Sequence, residues 1–155
     1  MRKELATIGY QAATVCSFLE ALARHRIDLL VDVRAVASSR RPGFAKSALV
    51  ANLRGANIEY LHLKGLGTPA EGRAAARAGR HAEMKRIFEG HMKTAGAQAE
   101  LETLAEIVRS DRRACLLCLE ADPAQCHRSL VAAALGERLS LRVTHLSPRI
   151  EDADR

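Results

Sequence analysis

One short segment carries the residues whose types and spacing are best suited to chemistry. Cys118 and Glu120 lie two residues apart, and Cys126, His127 and Arg128 follow after a proline-containing loop. A cysteine at a helix start beside cationic side chains has a lowered pKa and can act as a nucleophile. The pattern therefore predicts a nucleophilic Cys126, with His127 as acid or base and Arg128 as an anion-binding group.

Two other uses of this segment stay open. In the first, Cys126 only packs, and a neighbouring cationic side chain pairs with Glu120. In the second, Cys118, Cys126, His127 and Glu120 bind zinc, since all are zinc ligand types. Their spacing matches no zinc ribbon or finger, and strand alternation puts Cys115 and Cys118 on opposite faces. We therefore expect no metal site and no cofactor.

A second polar group follows the apolar run over residues 27–33. Asp32 lies in this run and needs a partner, because an unpaired buried carboxylate is costly. Arg34 either pairs with Asp32 or joins Arg40 and Arg41 as the wall of an anion pocket. We select Arg34 and Arg40, together with Arg128, as candidate anion-binding residues.

The elements that position these residues alternate between strand and helix. Apolar patterns predict strands over 5–9, 27–33, 58–63, 114–119 and 142–146, and helices after Thr14 and over 45–56, 72–109 and 129–139. This alternation indicates a single-domain α/β fold, with a mostly parallel sheet of about five strands and helices on both faces. We expect the strand order 3-2-1-4-5 and a domain over residues 1–150, with a frayed tail over 151–155.

The carboxyl ends of parallel strands meet at one edge, where such folds bind ligands. Tyr10, Arg34, His62 and the segment 118–128 all fall at predicted strand ends. The sequence therefore predicts one crevice there. His62 is a further candidate acid or base. The residues expected to support the site are Tyr10, Asp32, Cys118 and Glu120.

Composition limits the partners. The net charge of +6 favours an anionic small molecule or a nucleic acid. No apolar run approaches a membrane span, the first five residues lead into no signal-peptide core, and four cysteines are too few for a secreted disulfide scaffold. These features predict a cytoplasmic protein.

Arg73, Arg77 and Arg80 share one helical face, which is either a solvated surface or a lid.

Several segments resemble the domain of unknown function 488 (DUF488) family. They are Thr7–Tyr10, Leu30–Arg34, Ser39-Arg40, Tyr60–Leu63, and Leu116–Glu120 with Cys126-His127-Arg128. The sequence departs from the family pattern at Ala37, where proline is usual, and at Lys64–Thr68. The resemblance implies a shared fold and supports the site, but it implies no particular reaction.

Three functions agree with these residues. The first is a thiol-dependent enzyme acting on a phosphate- or nucleotide-bearing substrate. The second is a non-catalytic module that binds a nucleotide or nucleic acid through the same basic groups. The third is a small metal-binding protein. The sequence does not decide whether the chain is an enzyme.

Overall fold

The chain folds around one five-stranded parallel sheet. The structure is a computed structural model that describes residues 2–148, apart from the side chain of Gln125. The strands are β1 (Lys3–Gly9), β2 (Leu29–Asp32), β3 (Glu59–His62), β4 (Ala114–Cys118) and β5 (Leu141–Leu146). All neighbouring strands are parallel. This confirms the predicted α/β class; the predicted tail over 151–155 lies outside the described residues.

The strand order is β3-β2-β4-β1-β5, so the predicted order 3-2-1-4-5 is wrong. β4 lies in the centre and pairs with both β1 and β2, which do not pair with each other. Every residue of β4 is buried, whereas β3 and β5 are only partly buried and form the edges. A strand that is apolar on both faces belongs inside a parallel sheet.

Six helices cover the two faces of the sheet. They are α1 (Val15–Arg24), α2 (Lys46–Gly55), α3 (Ala70–Arg77), α4 (His81–Met92), α5 (Ala95–Arg109) and α6 (His127–Gly136). α1 and α2 pack on one face, with Phe18 and Leu49 in a core cluster that includes Cys115. α3 to α6 pack on the other face, with Phe88 and Leu104 in a cluster that includes Cys118. Strand alternation thus separates Cys115 from Cys118 as predicted.

Helix starts follow local capping chemistry. Thr14 caps α1 by accepting a hydrogen bond from the Ser17 backbone N–H, as predicted, and Ser17 returns the bond in a capping box. The predicted helix over 129–139 begins earlier, at His127, with Cys126 as its N-cap residue. Ser129 therefore lies inside the first turn, where its hydroxyl donates to the Pro123 carbonyl at 2.5 Å.

The predicted helical stretch over 72–109 is three separate helices. α3 ends before Gly79, whose φ of +80° favours glycine, and α4 follows directly. Thr94 then caps α5 through the Ala97 backbone N–H. Within the described range 2–148, no helix has the length and apolar character needed to cross a membrane.

Candidate functional site

The strand register places the predicted site residues along one edge of the sheet. Asp32 lies beside His62 on one side and beside Leu117 on the other. Cys118, the residue after Leu117, lies beside Gly9, the last residue of β1. The carboxyl ends of four strands therefore meet where the crevice was predicted.

A cavity of about 230 Å³ opens at this edge. Three of its lining residues, Cys118, Glu120 and His127, are called the floor groups below; Cys118 and His127 are each 6% exposed. The remaining lining residues are Tyr10, Arg34, Ala35, Val36, Ser38, Thr68, Arg73, Ala76, Arg77, Met84 and Leu119. The cavity brings together five of the ten predicted site residues: Tyr10, Arg34, Cys118, Glu120 and His127.

Asp32 and Arg34 form a buried ion pair at the back of this edge. The Arg34 Nε and Nη2 atoms donate to the two carboxylate oxygens of Asp32 at 2.9 and 2.7 Å. The Arg34 Nη1 atom donates to the Phe44 carbonyl and the Tyr10 hydroxyl, and Tyr60 donates to Asp32 at 2.6 Å. Four of the five Arg34 N–H groups are therefore used within the protein.

The negative charge of Asp32 stabilises the charged form of Arg34. Burial alone would lower the pKa of Arg34, but its hydrogen bonds and attraction to Asp32 raise that pKa above the usual range. Burial and the hydrogen bond to Asp32 raise the pKa of Tyr60. Because Asp32 neutralises it, Arg34 adds little free positive charge to the cavity.

His62, Arg40 and Arg128 lie outside the cavity lining. The His62 Nε2 atom bonds to the Arg34 carbonyl oxygen at 2.7 Å, so the ring positions the loop after β2. Arg40 is exposed and does not line the cavity. Arg128 is fully buried beneath the loop that follows β4.

Arg128 fixes the shape of that loop. Its Nη1 and Nη2 atoms donate to the carbonyl oxygens of Glu120 and Ala121, at 2.5 and 3.3 Å, and its Nε atom donates to the Thr7 hydroxyl. Gly9 allows the close contact, because a Cβ atom there would lie 1.7 Å from the Glu120 oxygen. Arg128 thus contacts the backbone of Glu120, whereas the sequence suggested its carboxylate.

Cys118, Cys126 and His127 form a compact buried cluster, the Cys-Cys-His cluster. The two Sγ atoms and one His127 ring nitrogen all lie within 4.8 Å of one another. The Cys118 Sγ atom is 3.3 Å from His127 Nδ1. The His127 Nε2 atom is 2.7 Å from the Val33 carbonyl oxygen, which can only accept, so Nε2 carries a proton. In the neutral ring, Nδ1 then presents its lone pair to the thiols.

The surroundings shift the pKa values of the Cys126 and Cys118 thiols in opposite directions. Burial opposes ionisation of Cys126, but the hydrogen bond from Cys118 and the hydrogen bond and positive charge that His127 offers when Nδ1 is protonated outweigh it and hold the pKa of Cys126 well below its usual range. The hydrogen bond to Cys126 and burial raise the pKa of Cys118. Cys126, the more acidic thiol, is 3% exposed and does not line the cavity, whereas the less acidic Cys118 does.

Glu120 is a half-buried carboxyl beside Cys126. Burial, followed by the negative charge of Cys126, raises the pKa of Glu120 to about 7. A carboxyl with a pKa near neutrality can both donate and accept a proton at physiological pH. The floor of the cavity therefore combines sulfur, imidazole and carboxyl groups.

α3 supplies two cationic side chains to the cavity lining that were not among the anion-binding candidates Arg34, Arg40 and Arg128. Arg73 and Arg77 line the cavity, and the Arg73 Nη1 atom donates to the Thr68 carbonyl at 2.9 Å. No carboxylate in residues 2–148 forms an ion pair with either arginine. Their i, i+4 spacing was visible in the sequence, but nothing there showed that α3 lies over the sheet edge.

A comparison with known families agrees with this architecture. The sequence model of the family described as Domain of unknown function DUF488 matches residues 14–135, from the cap of α1 to near the end of α6. The chain belongs to the DUF488 family. The match includes the Cys-Cys-His cluster, Glu120 and both α3 arginines. No curated protein and no solved structure matches the chain.

Proposed function

We propose that this DUF488 protein binds a small anionic molecule in the cavity and presents the floor groups to it. The observation that carries the proposal is the position of Arg73 and Arg77 in the same cavity wall, without carboxylate partners in the described chain, above Cys118, Glu120 and His127. Guanidinium groups suit phosphate and carboxylate because their planar N–H groups bind two oxygens at once.

The cavity also indicates the kind of molecule. Its volume of about 230 Å³ is below the roughly 300–1,000 Å³ typical of drug-sized sites, which favours a small ligand. Val36 and Leu119, 54% and 38% exposed, are the exposed large apolar residues of the described chain, and both line the cavity. We therefore expect a ligand with one anionic group and a short apolar part.

A nucleic acid is the weaker candidate. Cys118 and His127 are buried and Glu120 is half-buried in the lining of a small cavity, whereas an extended polymer needs an open, positively charged groove with aromatic platforms. Tyr10 is the one aromatic residue among the lining residues, and it is 3% exposed and stacked on Phe44 with ring centroids 4.8 Å apart. The Arg34 guanidinium carbon also lies 5.4 Å from the Tyr10 ring centroid, so the buried ring offers no open face to a base.

The thiol-dependent reaction predicted from the sequence stays a prediction. Attack by Cys126 would require its Sγ atom to meet the ligand, and Cys126 lies behind the residues that line the cavity. The thiol in the lining, Cys118, is the one whose pKa is raised. The geometry therefore supports anion binding more directly than nucleophilic catalysis.

Inorganic phosphate titrated calorimetrically into Arg73→Ala, Arg77→Ala and the double variant tests the proposal. Because a charge-assisted hydrogen bond contributes roughly 1.5–3 kcal/mol, each single change should weaken phosphate binding by about ten- to a hundredfold. Arg86→Ala is the matched control, since Arg86 is an exposed arginine of the neighbouring helix and does not line the cavity.

The proposal fails if the double variant binds phosphate as tightly as the unmodified protein. A second titration uses a single-stranded oligonucleotide at several salt concentrations. Tight, salt-dependent oligonucleotide binding that survives the double variant would favour a nucleic-acid surface elsewhere on the protein.

A further inference from the structure

The Cys-Cys-His cluster has the composition of a zinc site. Two thiols and one imidazole nitrogen are the usual three protein ligands of one class of zinc centre. Zinc–sulfur and zinc–nitrogen bonds of about 2.3 and 2.0 Å place neighbouring ligand atoms roughly 3.5–3.8 Å apart in a tetrahedron. Here Cys118 Sγ and His127 Nδ1 are 3.3 Å apart, and all three ligand atoms lie within 4.8 Å of one another. Small side-chain movements would complete the geometry.

The imidazole is already oriented for a metal. Metal-binding histidines typically donate their second ring N–H to a carbonyl or carboxylate, which fixes the ring and its tautomer. His127 Nε2 makes this bond to the Val33 carbonyl at 2.7 Å. The Phe88 ring packs against the imidazole, with ring centroids 5.5 Å apart. Nδ1 is therefore held towards the two sulfur atoms.

The three candidate ligands lie on elements that pack in the core of the protein. Cys118 ends the central strand β4, while Cys126 and His127 begin α6. Both cysteines belong to the core cluster that α3 to α6 form with the sheet. Two thiolates and one Zn²⁺ have no net charge, so the ion removes the cost of burying either thiolate alone.

We propose that Cys118, Cys126 and His127 bind one zinc ion, with the fourth coordination position facing the cavity. Cys118 and His127 both line the cavity, as does Glu120, the half-buried carboxyl beside Cys126, and both cysteines otherwise pack in the apolar core cluster. Three protein ligands and one open position are typical of zinc sites that bind a water or a substrate. The proposal replaces the expectation of no metal site, which rested on spacing along the sequence. It does not depend on the anion proposal.

Metal binding to the reduced protein provides the test. We expect protein purified without chelators to contain about one zinc per chain, and apo-protein to bind Zn²⁺ with a Kd well below about 1 μM in competition with a chromophoric chelator. Co²⁺ in place of zinc should give thiolate-to-cobalt charge-transfer absorption together with the intense ligand-field bands of tetrahedral Co²⁺.

Variants assign the ligands. Cys118→Ser, Cys126→Ser and His127→Gln should each weaken zinc binding by at least about tenfold. Cys16→Ser and Cys115→Ser are the controls, because Cys16 is exposed and Cys115 faces the opposite side of the sheet. Both controls should retain one zinc per chain.

The unmodified protein alone can overturn the proposal, so the test survives even if a ligand variant does not fold. A zinc Kd of about 1 μM or weaker, or a Co²⁺ spectrum without thiolate charge transfer, would contradict it. So would iodoacetamide labelling of Cys126 faster than the exposed Cys16 in the presence of stoichiometric zinc. Loss of phosphate binding in Arg77→Ala with zinc retained separates the two proposals, since only the anion site depends on Arg77.

Discussion

At the residue scale, the main finding is that Arg34 and Arg128, two of the arginines selected from the sequence, make most of their hydrogen bonds within the protein. Arg34 and Arg128 are 5% and 0% exposed; the Arg34 guanidinium donates mainly to the Asp32 carboxylate, and the Arg128 guanidinium donates to two backbone carbonyls and the Thr7 hydroxyl. Both were predicted to bind an anion because they occupy strand and helix ends. The sequence indicates that a basic residue is near a site, but burial decides which partner it has.

The Asp32–Arg34 pair yields a stability prediction. Asp32→Asn leaves the buried Arg34 guanidinium without its counter-charge, and breaking such a pair typically costs about 3–5 kcal/mol in the free energy of unfolding. Denaturant unfolding measures this loss. The control is Asp111→Asn, which breaks the ion pair with Lys3, where Asp111 is 76% exposed. That change should cost less than about 1 kcal/mol. Similar losses in the two variants would contradict the structure.

At the element scale, the sequence predicted most elements because their patterns are local. The buried strand β4, the Thr14 cap of α1 and the edge position of partly polar strands are all visible in short windows of sequence. The central position of β4 is not, because β1, β2 and β4 are all strongly apolar and right-handed crossovers permit more than one order. The sequence analysis also did not place Arg73 and Arg77 in the crevice. The reason is similar, because the position of α3 depends on packing between segments that are distant in the sequence.

The close contact between β1 and the loop after β4 can be tested with glycine variants. Gly9→Ala would put a Cβ atom 1.7 Å from the Glu120 carbonyl oxygen and 2.9 Å from an Arg128 nitrogen. The backbone must shift, and we expect a loss of at least about 1–3 kcal/mol in unfolding free energy.

The matched control for Gly9→Ala is Gly90→Ala, in the exposed interior of α4. No atom lies within 4 Å of a Cβ atom there, and alanine is favoured over glycine in a helix by up to about 1 kcal/mol. Thermal unfolding should therefore show a lower Tm for Gly9→Ala and an unchanged or higher Tm for Gly90→Ala. A Gly9→Ala protein as stable as the unmodified one would show that this contact is wrong.

At the scale of the whole molecule, a hydrogen-bond chain joins β5, β1 and α6. The Arg128 Nε atom donates to the Thr7 hydroxyl at 3.0 Å, and Thr7 bonds to His145 Nδ1 at 2.6 Å. Since the Thr7 oxygen accepts from Arg128, its proton is available for a neutral His145 ring. Although His145 is exposed, partial desolvation of its ring and repulsion from Arg128 lower its pKa.

This chain predicts how stability depends on pH. The unfolded state holds a proton on His145 up to a pKa of about 6.5, whereas the folded state releases it at lower pH. Below about pH 6.5 the unfolded state therefore binds more protons than the folded state. The contribution of His145 to the free energy of unfolding is complete above that pH and is lost as pH falls. Denaturant unfolding between about pH 8 and pH 5 should show a smaller decline for His145→Gln than for the unmodified protein. Equal declines would contradict the assignment.

The central position of β4 also has a consequence for how the protein is made. β1 and β2 are translated early, but they touch only through β4, whose last residue is Cys118. A nascent chain that ends before β4 can pair β2 with β3, while β1 has no strand of its own sheet beside it. The central sheet and the Cys-Cys-His cluster therefore assemble together, once β4 has been synthesised and inserts between β1 and β2. Ribosome-stalled chains should resist proteolysis only after β4 and α6 have left the exit tunnel.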